Sequence, residues 1–136
     1  MSIFYIAAHA LILNEDNKVL TLRRSEANDY KPLYWDIPGG TVNVGETVEE
    51  TLEREINEET SLIIKPIKPI YVYSNLDQVP KRQTAQIIYL CKYISGKVVL
   101  NPEEHDEFKW IDYNGLKNQK NIAFLEALIR NYNLDD

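Results

Sequence analysis

The stretch that most constrains this chain is residues 47–60, which contains neither glycine nor proline and is rich in Glu. Such a run reads as the best helix in the sequence. It is also where the charge lies. Between residues 46 and 60 there are seven glutamates and one arginine, Arg54, whereas the rest of the chain carries fourteen acidic and fourteen basic residues. The entire net charge of −6 therefore resides in one short segment. Scattered acidity would serve solubility; acidity concentrated on a helix asks for a cation.

At about 100° per residue, Glu55, Glu58 and Glu59 share a sector of about 100° that borders the apolar stripe of Val48, Leu52 and Ile56. Glu49, Glu50 and Glu53 fall toward solvent, and Arg54 stands four residues from both Glu50 and Glu58. A solvated charged face is the plain alternative. Against it, Glu58 and Glu59 sit in the last turn, where the helix dipole disfavours anions by about 0.3–1 kcal/mol each. A hard divalent cation relieves both this and the crowding of three carboxylates.

Around this helix the chain reads as strands. An apolar run over residues 3–13, a turn at 14–17 and Val19-Leu20-Thr21-Leu22 predict an opening β-hairpin. Residues 25–33 read as loop, and Tyr34-Trp35-Asp36-Ile37 as a short strand ended by Pro38, Gly39 and Gly40. Residues 62–73 predict a strand interrupted at Pro66 and Pro69, 83–94 the strongest strand, 103–107 a polar loop, and 108–111 a further short strand. A final amphipathic helix spans 122–132, with Phe124, Leu125, Leu128 and Ile129 on one face and Asn121 as its N-cap. The order predicts a mixed α/β fold in one domain over residues 1–136. With 44% hydrophobic and 26% charged residues the composition is that of a soluble globular protein. Residues 2–13 lack the basic flank and cleavage site of a signal peptide, and no run approaches a membrane span, so a cytoplasmic protein is expected. The lone Cys91 reads as a buried thiol. The absence of a basic stripe argues against nucleic acid as the main partner.

From Gly40 the chain reads Gly-x5-Glu46-x7-Arg54-Glu55-Ile56-x-Glu58-Glu59-x-Ser61-Leu62. This resembles the signature of the Nudix hydrolases, departing from it only at Ser61, where the family has glycine. Serine in the left-handed conformation expected there costs roughly 1 kcal/mol. The resemblance implies a mixed, curved β-sheet sandwiched between helices, and Mg²⁺-dependent cleavage (Mn²⁺ can substitute) of a diphosphate linkage in a small nucleotide substrate. Carried over by position, Glu55, Glu58 and Glu59 are metal ligands, with the backbone of Gly39 or Gly40 completing the site. Where one of the three serves instead as general base, Glu55 is the candidate; Arg54 orients the glutamates, and Glu46 supports the helix entry. Arg23 and Arg24 are candidate phosphate contacts; strand alternation separates them, and Arg24 is preferred. One of Glu103, Glu104 or Glu107, with Glu104 put first, is the candidate further ligand.

For the substrate, the short chain, Arg23-Arg24 and the Asn121 helix resemble the nucleoside-triphosphate pyrophosphohydrolase branch, including enzymes acting on oxidised nucleotides. ADP-ribose, dinucleoside polyphosphates and nucleotide sugars stay open. Trp35, Tyr34 and Tyr73 are candidates for base stacking, and Asn121 for reading a base edge. His9 reads as a strand-face histidine and His105 as a loop contact. A non-catalytic nucleotide-binding module of the same fold is the alternative of another class; such proteins tend to lose the glutamates kept here. A homodimer is compatible with the resemblance.

Overall fold

In the computed structural model, which describes residues 3–77 and 82–134, the long run becomes β1 (Ile3–Leu13), followed by β2 (Val19–Arg24), β3 (Trp35–Asp36) and β4 (Gly39–Thr41). Helix α1 (Val48–Thr60) leads into β5 (Ile63–Asp77), β6 (Arg82–Ser95) and β7 (His105–Ile111). A 3₁₀ turn (Tyr113–Asn118) and helix α2 (Ala123–Asn131) follow. The sheet runs β3-β2-β1-β6-β5, with β4 also on β1 and β7 also on β2. Among the described strand pairs only β1–β6 is parallel.

Alternation along β1 builds two cores. Ala8, Ala10 and Ile12 pack on one face with Leu52 and Ile56 of α1. Leu11 packs on the other with Leu125 and Leu128 of α2. The expected mixed sheet between helices is the observed arrangement, with Cys91 buried in the first core. Among the described residues no helix is long and apolar enough to cross a membrane.

Helix α1 begins at a capping box. Thr47 Oγ1 accepts from Glu50 N–H, and the Glu50 carboxylate accepts from Thr47 N–H. Glu50 is thereby drawn to the N-terminus rather than toward Arg54. At the other end Ser61 adopts φ 67°, and its N–H donates to the Asn57 carbonyl at 2.9 Å. The serine therefore takes the left-handed conformation that glycine favours.

Three expectations need correction. Asn121 does not cap α2: the cap position is Ile122, without a side-chain hydrogen bond. Trp35 N–H donates to Lys120 O and Trp35 O accepts from Ile122 N–H, which holds this segment extended and starts the helix later. Strand β5 runs through Pro66 and Pro69, with register shifts at both, because it is the sheet's outer strand and an edge tolerates proline. Strand β7 starts at His105, since β2 extends to Arg24 and pairs with what reads as polar loop.

Replacing Ser61 by Gly relieves the backbone strain at φ 67° and should stabilise the protein by about 0.5–1 kcal/mol. A urea midpoint that stays put or falls would show the serine is not strained.

Candidate functional site

Strand β4 lies against β1 with Gly39 opposite His9 and Gly40 opposite Ala8. A Cβ on Gly39 would strike the Ala8 carbonyl oxygen and the His9 backbone, so only glycine allows this approach. A Cβ on Gly40 would lie 2.5 Å from the Glu55 carboxyl carbon. The two glycines thus bring a bare backbone up to the glutamates of α1.

Beside them opens a cavity of about 500 Å³ whose wall includes Glu59, Asp36, Gly39, Glu104, His105 and Arg24. The Glu59 side chain is only 14% exposed, and the Gly39 N–H lies near enough to favour its charged form. Burial, with Asp36, Glu55 and Glu104 nearby, pushes its carboxyl well above the usual range. Asp36 is likewise raised, to about 6, by burial, although Arg24 and the Ile37 N–H oppose the shift. Several carboxylates are therefore gathered where their charges are poorly solvated.

Arg54 organises the helix side. Its Nε and Nη2 donate to Glu46 at 2.7 and 2.9 Å, and its Nη1 to Glu55 at 2.9 Å and Glu58 at 3.3 Å. Glu46 also accepts from Thr51 Oγ1 and the Asn43 N–H, and these bonds, led by Arg54, hold its carboxyl down at about 2. Glu58 is the outlying member, 60% exposed.

Arg23 and Arg24 do separate. Arg23 pairs with Asp106 at 2.8 Å and Glu107 at 3.4 Å, away from the cavity. Arg24 lines it, held by Tyr30 O, Asp36 and Asn28. Three of its five N–H groups are thus engaged, leaving two for a ligand. Glu103 lines the cavity with Glu104, whereas Glu107 does not. Trp35 is 8% exposed beneath Lys109 Nζ, and its ring is packing surface. Asn121 is 5% exposed; its amide nitrogen donates to Leu116 O and Glu126, its Oδ1 is buried without a partner, and it lines neither this cavity nor the smaller one beside it. Tyr73 packs against the α2 core, and Tyr34 carries Lys31 and Lys120 over its ring.

Asp36, His9 and His105 are the site residues that sequence reasoning missed. An acid inside a short apolar strand was the available signal for Asp36. The histidines carried none, since their position depends on which strands pair. Burial holds both imidazoles down at about 4, and His105 Nδ1 stands 4.0 Å from Glu59.

Among the described residues no three Asp, Glu, His or Cys side chains already form a metal cage. The donor chemistry nevertheless fits a divalent cation. Glu59 and Glu55 lie beside the glycine backbone, with Asp36 and Glu104 near, and a hard cation favours oxygen donors.

A family model, the NUDIX domain, matches residues 4–132. The chain belongs to the Nudix family and is a hydrolase of that class. It is 36% identical over 122 residues to the ADP-ribose pyrophosphatase of Methanocaldococcus jannaschii, a match covering 89% of this chain and 69% of that protein. It is 35% identical to a putative 8-oxo-dGTP diphosphatase of Bacillus subtilis, over 76% of this chain and 64% of that one. The crystal structure of a MutT protein from Methanosarcina mazei Go1 superposes with a TM-score of 0.81 at 28% identity, covering 95% of this chain and 92% of that one.

The geometry generates two testable outcomes. Gly39→Ala forces backbone against backbone and should prevent stable folding, whereas Gly40→Ala displaces only the far end of the Glu55 side chain. The Gly40 variant should keep its circular dichroism spectrum and lose at least about tenfold in turnover, a loss of about 1.4 kcal/mol; equal activity would sink this reading. As for pH, His9 and His105 contribute stability present above about 6.5 and lost as pH falls through about 4. Asp36 acts oppositely, its contribution being full below about 3.8 and lost as pH rises through about 6. Urea midpoints between pH 7.5 and 4.5 should therefore fall less in His9→Gln than in the parent, and more in Asp36→Asn.

Proposed function

We propose that this protein is a Mg²⁺-dependent hydrolase, served also by Mn²⁺, that cleaves the diphosphate linkage of a nucleoside diphosphate derivative. The observation that carries the proposal is the buried Glu59 carboxylate, set beside the Gly39 backbone among Asp36, Glu55 and Glu104. A group so placed is costly unless a cation or proton compensates it.

Glu58 and Glu59, with a carbonyl of Gly39 or Gly40 and with Glu104, are the residues that would hold the cation. Bound there, it would supply charge neutralisation to the phosphate oxygens. Glu55 is the general base: it takes a proton from water as the water oxygen attacks phosphorus and the bond to the leaving phosphate breaks. Arg54 fixes the orientation of Glu55 and tethers Glu58. Glu58 starts exposed and needs only a rotamer change to turn inward. Arg24 offers its remaining N–H groups to a phosphate.

The substrate assigned is a nucleoside triphosphate or an oxidised form of one, giving a nucleoside monophosphate and pyrophosphate. This is supported by the likeness to the Bacillus subtilis relative, a putative 8-oxo-dGTP diphosphatase. A second reading, ADP-ribose, is favoured by the 36% identity to the Methanocaldococcus jannaschii relative.

A panel of nucleoside triphosphates, 8-oxo-dGTP and ADP-ribose, assayed with Mg²⁺ or Mn²⁺ and with products identified, tests the proposal; no turnover of any would refute it. Glu55→Gln and Glu59→Gln should each slow the reaction more than about tenfold, about 1.4 kcal/mol in barrier, while leaving the fold intact. Unchanged rates in both would mean that these carboxylates do not serve the reaction.

A further inference from the structure

A second cavity of about 210 Å³ adjoins the first, and the two share His9, Arg24 and Asp36 as a common wall. Its chemistry differs from its neighbour's. It lies between strands β5 and β6 and the start of α2, and its lining includes Asn75, Thr84, Gln86, Phe124 and Tyr30. Register explains the polar row. Thr84 pairs with Asn75, and Gln86 lies two residues further along β6 on the same face, diagonal to His9 on β1. Two rings contribute to its wall: His9 and Phe124 stand 4.3 Å apart, centroid to centroid, inclined 40° to each other. At the mouth Tyr30 lies against the Arg24 guanidinium, 5.5 Å from its ring centre.

Two buried atoms here have no aligned hydrogen-bond partner, His9 Nδ1 and Gln86 Oε1. The two side chains interact, since Gln86 tends to raise the His9 pKa, but their geometry falls short of a formed hydrogen bond. Leaving a buried acceptor unmet is costly, and a ligand donor would remove that cost. The amide oxygen can only accept, so the ligand edge it meets must carry an N–H or O–H.

We infer that Gln86 is a specificity-determining residue, which reads an N–H edge of the substrate's base in this second cavity while the diphosphate lies in the first. The shared wall then sets the ribose between them. A planar base suits the cavity: rings contribute to its wall and polar strand side chains to its edge. Among the described lining residues the one carboxylate is Asp36, which Arg24 engages. The assignment rests on the hydrolase reading for the location of the diphosphate, but not for the chemistry of the cavity itself.

The test uses the intact protein and Gln86→Met, which keeps similar length and removes the acceptor; a thermal melt checks its fold. Kinetics with ATP, GTP, CTP and UTP should show KM for the preferred nucleotide rising about tenfold in the variant, with kcat within twofold and the spread among bases reduced. A fall in kcat at constant KM, or an unchanged spread, would overturn the inference. Binding supplies the second arm, which needs no turnover. In the ¹⁵N-labelled parent, the Gln86 side-chain amide resonance should shift on titration with at least one of AMP, GMP, CMP and UMP, and not with ribose 5-phosphate. If no monophosphate moves it, the inference is wrong even in an active hydrolase. If one does and no nucleotide is hydrolysed, the pocket stands and the hydrolase reading falls.

Discussion

The close approach of β4 to β1 is the constraint on which the rest of this structure depends. At Gly39 the two backbones are too close for any side chain, and at Gly40 the missing side chain is replaced by the Glu55 carboxylate. The pairing sets the Gly39 backbone beside Glu59 and places Asp36, three residues upstream, on the cavity wall. Helix α1 then has one way to lie, with Leu52 and Ile56 in the core and Glu55 and Glu59 against the glycine backbone. A glutamate-rich helix becomes a site through the bareness of the strand it faces.

Electrostatics divides the acidic segment into two parts with different costs. Glu49, Glu50 and Glu53 are solvated, and Arg54 satisfies Glu46 and holds its carboxyl in the charged form. Glu59 and Asp36 are not: burial disfavours their charged forms, and Arg24 compensates Asp36 only in part. The neutral imidazoles of His9 and His105 add no positive charge near neutral pH. The site holds the counter-charge deficit that a divalent cation would fill, and the solvated acids of the same segment do not.

Much of the architecture was legible in the amino-acid pattern. The helix, its solvent-facing glutamates, the opening hairpin and the separation of Arg23 from Arg24 come from periodicity, because 3.6- and 2-residue repeats fix which side chains share a face. The cap of α2 was not legible: Asn121 is a good cap by residue type, but backbone bonds from Trp35 hold residues 120–122 extended. Nor was the burial of Trp35, whose face is decided by β2 and by Lys109. Asp36, His9 and His105 escaped for the same reason. Each matters through a neighbour distant in sequence, and a local pattern does not reveal that neighbour.

The parallel pairing of β1 with β6 has a consequence in time as well as in space. His9 acquires its polar edge only when Gln86 arrives beside it, and a contact of such long range is paid for in loop-closure entropy before it returns anything. During synthesis the glutamate motif, complete at Leu62, emerges well before the strand that closes the second cavity. A nascent chain thus carries its glutamate motif before the strand that frames the second cavity, and that strand before Glu104 and His105 complete the wall of the first.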